Sequence, residues 1–124
     1  MDEVQRVLVV DDHTDASELL CLHLNRLGHT CREASDGTTG LAIALELRPH
    51  VAILDLWLPD MSGHDLAREL RQRDPNVYLI ALTGSTRAED RTLAFDSGFD
   101  EFLMKPADNR TLLDLLAKAK QRPR

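Results

Sequence analysis

The chain has 124 residues, 43% of them hydrophobic and 29% charged, a balance that suits one soluble globular domain and excludes a disordered segment. A formal net charge of −6 argues against direct nucleic-acid binding, which needs clustered Lys and Arg. No apolar run is long enough to span a bilayer, and Met1-Asp2-Glu3 does not begin a signal peptide, so a cytoplasmic protein without membrane insertion is expected. Cys21 and Cys31 lack metal-ligand spacing and, in a reducing compartment, are expected to be core thiols rather than a disulfide.

Apolar runs alternate with helical patterns along the chain. Val7-Leu8-Val9-Val10 is continuous, as in a strand buried on both faces. Over residues 14–27 the spacing of Ala16, Leu20, Leu24 and Leu27 predicts a helix with that stripe inward, Thr14 or Asp15 as cap and Gly28 as stop. A weaker strand over 29–34 precedes the turn Ser35-Asp36-Gly37, and a helix over 38–47 halts before Pro49. A third strand and helix are predicted over 51–54 and 64–73, and a fourth pair over 77–82 and 87–95, ending near Gly98. The fifth strand is predicted over 101–104 and the last helix over 109–120, with Leu112, Leu115, Leu116 and Ala119 inward.

Five such units make a (βα)5 chain. Buried strands joined by helical crossovers imply a parallel sheet covered on both faces. Five units are too few for an eight-stranded barrel, so the sheet is expected to be open and doubly wound, with ligands at the carboxyl ends of its strands. No internal linker divides the chain: residues 1–124 are read as a single domain with its core over about 6–120. Residues 121–124 are read as a tail or the start of a linker.

Chemistry-bearing residues gather at those strand ends. Strand one leads to Asp11-Asp12, strand three to Asp55, strand four to Thr83-Gly84-Ser85 and strand five to Lys105-Pro106. Adjacent carboxylates repel, so either one pKa rises or a cation binds between them. Oxygen-only ligands suit Mg²⁺. Taken singly, Asp11-Asp12 is also a helix cap, Thr83 a strand former and Lys105 a solvated charge. Their convergence from four segments singles them out.

The stretches VVDD (9–12), ILDLWLPDMSG (53–63), ALTG (81–84) and FLMKP (102–106), in this order, resemble the receiver domains of response regulators in two-component signalling. The resemblance covers about Arg6 to Lys120. It implies the flavodoxin-like, chemotaxis-regulator-like sheet of order 2-1-3-4-5, and it implies Asp55 as the phosphoacceptor for a histidine kinase or histidine phosphotransfer protein. Asp11, Asp12 and Asp55, with the backbone carbonyl of Trp57, are implied as the Mg²⁺ pocket, in which Mn²⁺ can substitute. Thr83 and Lys105 are implied to hold the phosphoryl group, with Thr83 and Phe102 as the switch. The Lys105–Pro106 bond is implied to be cis. Trp57 and Ser85 flank the phosphoryl site and are implied to set its lifetime. A downstream protein is implied to dock on the face formed by the fourth helix, fifth strand and last helix, about Arg87 to Lys120. Such a domain is not an enzyme beyond catalysing its own phosphorylation and dephosphorylation.

Phe102 stands where the family often has Tyr. The stretch from Ala81 to Asp108 resembles receivers of hybrid histidine kinases more than those fused to winged-helix DNA-binding domains. Rival classes fit less well. A haloacid-dehalogenase-type phosphatase wants a second Asp two residues after the nucleophile, where this chain has Trp57. A flavodoxin-type cofactor carrier wants a Ser/Thr/Gly loop where this chain has Asp11-Asp12-His13. A pseudo-receiver serving only as an interaction module is the alternative, although every reacting residue is present. His13 is expected to be a loop or helix-start residue, because Mg²⁺ does not favour imidazole. His23, His29, His50 and His64 show no ligand spacing.

Overall fold

The computed structural model describes residues 4–84 and 87–120. Five strands alternate with five helices: β1 (Arg6–Val10), α1 (Thr14–Arg26), β2 (Thr30–Ala34), α2 (Gly37–Leu47), β3 (Val51–Leu54), α3 (Gly63–Arg73), β4 (Tyr78–Thr83), α4 (Ala88–Asp96), β5 (Glu101–Met104) and α5 (Asn109–Lys120). The strands form one parallel sheet of order β2-β1-β3-β4-β5. This is the doubly wound topology expected from the alternating pattern.

Each central strand feeds two cores, because successive side chains point to opposite faces. Leu8, Val10, Ala52, Leu54, Leu79 and Ala81 pack on one face with Ile43 and Ala44 of α2, Leu66 and Leu70 of α3, and Ala94 of α4. Val7, Val9, Val51, Ile53 and Ile80 pack on the other with Leu24 of α1 and Leu112, Leu116 and Ala119 of α5. That is why β1 and β3 read as unbroken apolar runs. The inward set predicted for α5 is found, with Leu115 partly buried.

Helix α1 departs from expectation in its rotation. Its buried residues are Ser17, Cys21 and Leu24, while Ala16 and Leu27 are exposed and Leu20 is only partly covered. The leucines of this segment occupy nearly every face, so spacing alone did not fix the inward one. Leu19 and Leu22 are left exposed. The helix start also differs: His13 is the N-cap and makes no side-chain cap bond. Gly28 does end the helix, with φ +97°, a conformation that a Cβ disfavours.

Cys21 and Cys31 are not free thiols; they are joined in a disulfide between α1 and β2. Both project into the same core, and their Cα atoms lie 5.1 Å apart, within the span a disulfide bridges. The rotation of α1 that buries Cys21 in place of Leu20 brings this about.

Among the described residues, no helix is long and apolar enough to cross a membrane.

Candidate functional site

The carboxyl edge of the sheet is held by backbone bonds that run one residue past the strands. Asp11 N–H donates to Ala34 O (3.0 Å), Asp55 N–H to Val10 O (2.9 Å) and Lys105 N–H to Thr83 O (2.8 Å). Three functional side chains therefore start from backbone positions as fixed as the sheet itself. Asp11 and Asp55 are only 5% and 4% exposed, and Thr83 is fully buried.

Lys105 bridges the two buried acids. Its Nζ donates to Asp11 Oδ2 at 2.8 Å and to Asp55 Oδ2 at 3.1 Å. Burial, joined by the charge of Asp11, pushes the Asp55 carboxyl up against the pull of the Trp57 N–H and the Lys105 ammonium. At Asp11 burial acts in the same direction, but the bonds from Lys105 and His13 outweigh it and lower the pKa. Burial alone would lower Lys105, yet its two carboxylate partners raise it above the ordinary lysine range. Environment thus moves the two buried carboxylates, Asp11 and Asp55, in opposite directions.

The loop after β3 wraps this acid closely. Trp57 N–H donates to Asp55 Oδ1 at 3.2 Å, and Trp57 pairs with Ser62 in an isolated antiparallel bridge. Gly63 N–H donates to Leu56 O at 2.8 Å, and a Cβ on Gly63 would collide with the Asp55 carbonyl oxygen and Leu56 Cα. Ser62 then caps α3, its Oγ accepting from Asp65 N–H at 3.1 Å. The indole of Trp57 starts beside the acid, but the residue is 56% exposed.

Asp11, Asp12, His13 and Asp55 offer ligand atoms that all lie within 4.8 Å of one another. Two octahedral ligands opposite one another across a small divalent ion are separated by roughly 4 Å. The pocket therefore fits such an ion by size and by its carboxylate chemistry. The imidazole of His13, set aside in the sequence because Mg²⁺ does not favour imidazole, is part of the same cluster. Its Nδ1 lies 3.1 Å from Asp11 Oδ1, 3.3 Å from Asp12 Oδ1 and 3.3 Å from Lys105 Nζ.

The remaining expected residues sit around this centre. The Lys105–Pro106 peptide is cis. Thr83 ends β4 opposite Met104, and Phe102 lies opposite Ala81, partly buried against the core. Ser85 lies outside the described residues. Two partners went unnoticed in the sequence. Arg91 of α4 stands over Phe102, and Asp60 binds the start of α2 through Gly37 N–H (2.7 Å), Thr38 N–H (2.9 Å) and Thr38 Oγ1 (2.6 Å). A groove of about 490 Å³ opens beside the site between α1 and α5, with Asp11, His13 and Lys105 on one wall and Leu20, Pro106 and Leu112 among its apolar lining.

These features define a doubly wound α/β protein of chemotaxis-regulator type with an acidic pocket at the carboxyl edge. Residues 7–117 match the family model of the response regulator receiver domain. The chain belongs to that family, whose members are signalling modules. It is 40% identical over 109 residues to the DNA-binding response regulator MtrA of Mycobacterium tuberculosis, covering 88% of this chain and 47% of that protein. It is 34% identical over 110 residues to the DNA-binding dual master transcriptional regulator RpaA of Synechocystis, covering 87% and 46%. The chain thus spans about half the length of the curated relatives it matches. These two are named as DNA-binding regulators, so they lend no support to the leaning toward hybrid-kinase receivers. Among solved structures, the BeF3-activated DrrB receiver domain superposes with a TM-score of 0.89 at 27% identity, covering 97% of this chain and all of that one. The chemotaxis response regulator CheY4 of Vibrio cholerae gives 0.85 at 28%, covering 94% and 99%.

Proposed function

We propose that this chain is a phosphoacceptor receiver in a two-component phosphorelay, with Asp55 as the residue phosphorylated. The observation that carries this reading is Asp55 itself: a 4%-exposed carboxylate at the end of a buried strand, with a lysine ammonium 3.1 Å from one oxygen.

An Asp55 oxygen attacks the phosphorus of a phosphohistidine on a partner kinase or phosphotransfer protein. The O–P bond of an acyl phosphate forms as the P–N bond breaks, and the imidazole leaves with the electron pair and takes up a proton. Such a transfer needs positioning and charge neutralisation above all. Lys105 stays paired with Asp55 and meets the incoming phosphoryl oxygens, and the Thr83 hydroxyl donates to one of them. Asp11, Asp12, Asp55 and the Trp57 carbonyl would hold Mg²⁺, or Mn²⁺ in its place, which when bound supplies further positive charge to those oxygens. The groove between α1 and α5 gives the donor imidazole a path to the pocket.

The product carries about two added negative charges, enough to reorder a neighbouring segment through charge-assisted bonds. Thr83 moves toward the phosphoryl group, Phe102 turns into the space it leaves, and the α4-β5-α5 face presented to a downstream protein changes. Trp57 and Ser85 border the approach of a hydrolysing water and set the lifetime. The chain turns over no separate substrate and works in the cytoplasm. The relatives' DNA binding is a property of proteins about twice its length; the receiver itself, at a net charge of −6, is not the part that binds DNA.

Incubation with Mg²⁺ and acetyl phosphate tests this. One alkali-labile phosphoryl group is expected in wild type and none in Asp55→Asn. Phosphate found by mass spectrometry on Thr83 would overturn the assignment.

A further inference from the structure

His13 is the site residue that the proposed mechanism leaves unused. Its backbone N–H donates to Asp11 Oδ1 at 2.9 Å, and its ring Nδ1 approaches the same oxygen at 3.1 Å. The ring nitrogen also meets Asp12 Oδ1 and the Lys105 ammonium, each at 3.3 Å. Lys105 already bonds Oδ2 of Asp11 and of Asp55, so the ring nitrogen is not needed as its acceptor. Nδ1, Asp11 Oδ1 and Asp12 Oδ1 lie as three neighbouring donor atoms, and a divalent cation accepts the ring lone pair and the carboxylate oxygens together.

Lys105 leaves room for this arrangement, since it uses the Oδ2 atoms of Asp11 and Asp55 while His13 faces Oδ1 of Asp11 and of Asp12. The His13 side chain is 69% exposed, which leaves the ring accessible from solvent. The ring nitrogen already belongs to the set of ligand atoms gathered within 4.8 Å.

We propose that His13 is a metal-specificity residue: it supplies an imidazole ligand that makes this pocket favour imidazole-accepting first-row transition ions, such as Co²⁺ and Ni²⁺, over Mg²⁺. Mg²⁺ keeps oxygen ligands and waters, so it takes the carboxylates without the ring. Affinity for nitrogen ligands rises along the first-row series toward Ni²⁺ and Cu²⁺, so the ring matters increasingly for those ions. This rests on the reading of the carboxylate pocket as a metal site and adds the class of metal it selects.

The test uses the 124-residue protein in wild-type, His13→Ala and Asp55→Asn forms. Co²⁺ binding is followed by its visible d–d absorption and Mg²⁺ binding by the emission of Trp57. His13→Ala is expected to weaken Co²⁺ about tenfold or more, the order of loss seen when a metal site's polar support is removed, and to move the Mg²⁺ midpoint less than about twofold. Asp55→Asn is expected to weaken both ions, which locates the Co²⁺ signal in this pocket. An unchanged Co²⁺ midpoint in His13→Ala, an equal loss for both ions, or Co²⁺ binding indifferent to Asp55→Asn would each overturn the proposal while leaving Mg²⁺ binding intact as a reading. No response of wild type to either ion would instead overturn the metal pocket, and this proposal with it.

Discussion

The guanidinium of Arg91 stands over the ring of Phe102, its central carbon 5.9 Å from the ring centre. The same carbon lies 5.6 Å from the centre of Phe95, one turn along α4, so a single cation joins α4 to the aromatic of β5. Phe102 has no hydroxyl with which to report its position, and the turn proposed for it would disturb this contact.

Arg91 is therefore expected to act as a latch on the switch. A cation–π contact at a partly exposed site contributes roughly 0.5–1 kcal/mol, equivalent to about a two- to fivefold change in an equilibrium. Arg91→Ala should let the β5 amide resonances reach their shifted positions at a correspondingly lower concentration of beryllofluoride, a phosphoryl mimic. Arg91→Lys should fall between the two. Identical midpoints for Arg91→Ala and wild type would remove the latch.

Gly63 is expected to be the least replaceable residue of the loop around Asp55. A Cβ there collides with the backbone of Asp55 and Leu56, and neither can retreat without pulling on β3. Overpacking against rigid neighbours costs about 1–3 kcal/mol. Gly63→Ala should lower stability in urea melts by that order and slow phosphorylation by acetyl phosphate. A variant matching wild type in both would show that the loop is softer than its contacts imply.

How much of this was legible beforehand depends on whether the cause was local. The Val51–Leu54 run announces a doubly buried strand in its own four residues, and Asp55 follows it in the chain, so strand and acid were both readable. Helix α1 was misjudged because its leucines offered several inward faces, and only packing against β2 selected the face with Ser17, Cys21 and Leu24. The disulfide went with it. Asp60 binds Gly37 and Thr38 across more than twenty residues, and Lys105 lies 92 residues from His13. No periodicity encodes such pairs; they exist only once the sheet order has brought the loops together.

Asp60 gives the fold a specific response to acid. Bonds from the Thr38 hydroxyl and from the Gly37 and Thr38 N–H groups hold its carboxyl down at about 2. An unfolded Asp titrates near about 3.9, so the folded state prefers the ionised form. A depressed folded pKa contributes stability that is fully present above the unfolded value and lost as pH falls toward the folded one. The stability difference between wild type and Asp60→Asn should be constant above about pH 4 and shrink between about pH 4 and 2. Urea melts at stepped pH check this. A difference independent of pH across that window would mean that the bonds to α2 do not discriminate between charge states.

The persistence of a phosphorylated state is expected to turn on Trp57. Hydrolysis of an acyl phosphate on Asp55 needs a water in line with the oxygen–phosphorus bond. The residues two past Asp55 and two past Thr83 are Trp57 and Ser85, and neither is a carboxylate or amide able to orient that water. The backbone at Trp57 is held in place by its N–H bond to Asp55 and its bridge to Ser62. Trp57 is 56% exposed, so its indole is expected to shade the approach from the rim rather than plug the pocket. A long-lived phosphoryl group is expected, with decay left largely to a partner or to reverse transfer. Shielding that adds about 1.4 kcal/mol to the barrier slows decay about tenfold. Trp57→Ala should shorten the lifetime by opening the path, and Trp57→Asn should shorten it further by supplying an amide to hold the water. A dephosphorylation time course on the three proteins, after removal of acetyl phosphate, separates the two effects. Equal rates would take Trp57 out of the mechanism, whereas a loss confined to Trp57→Asn would assign the slow decay to the missing amide and not to the ring.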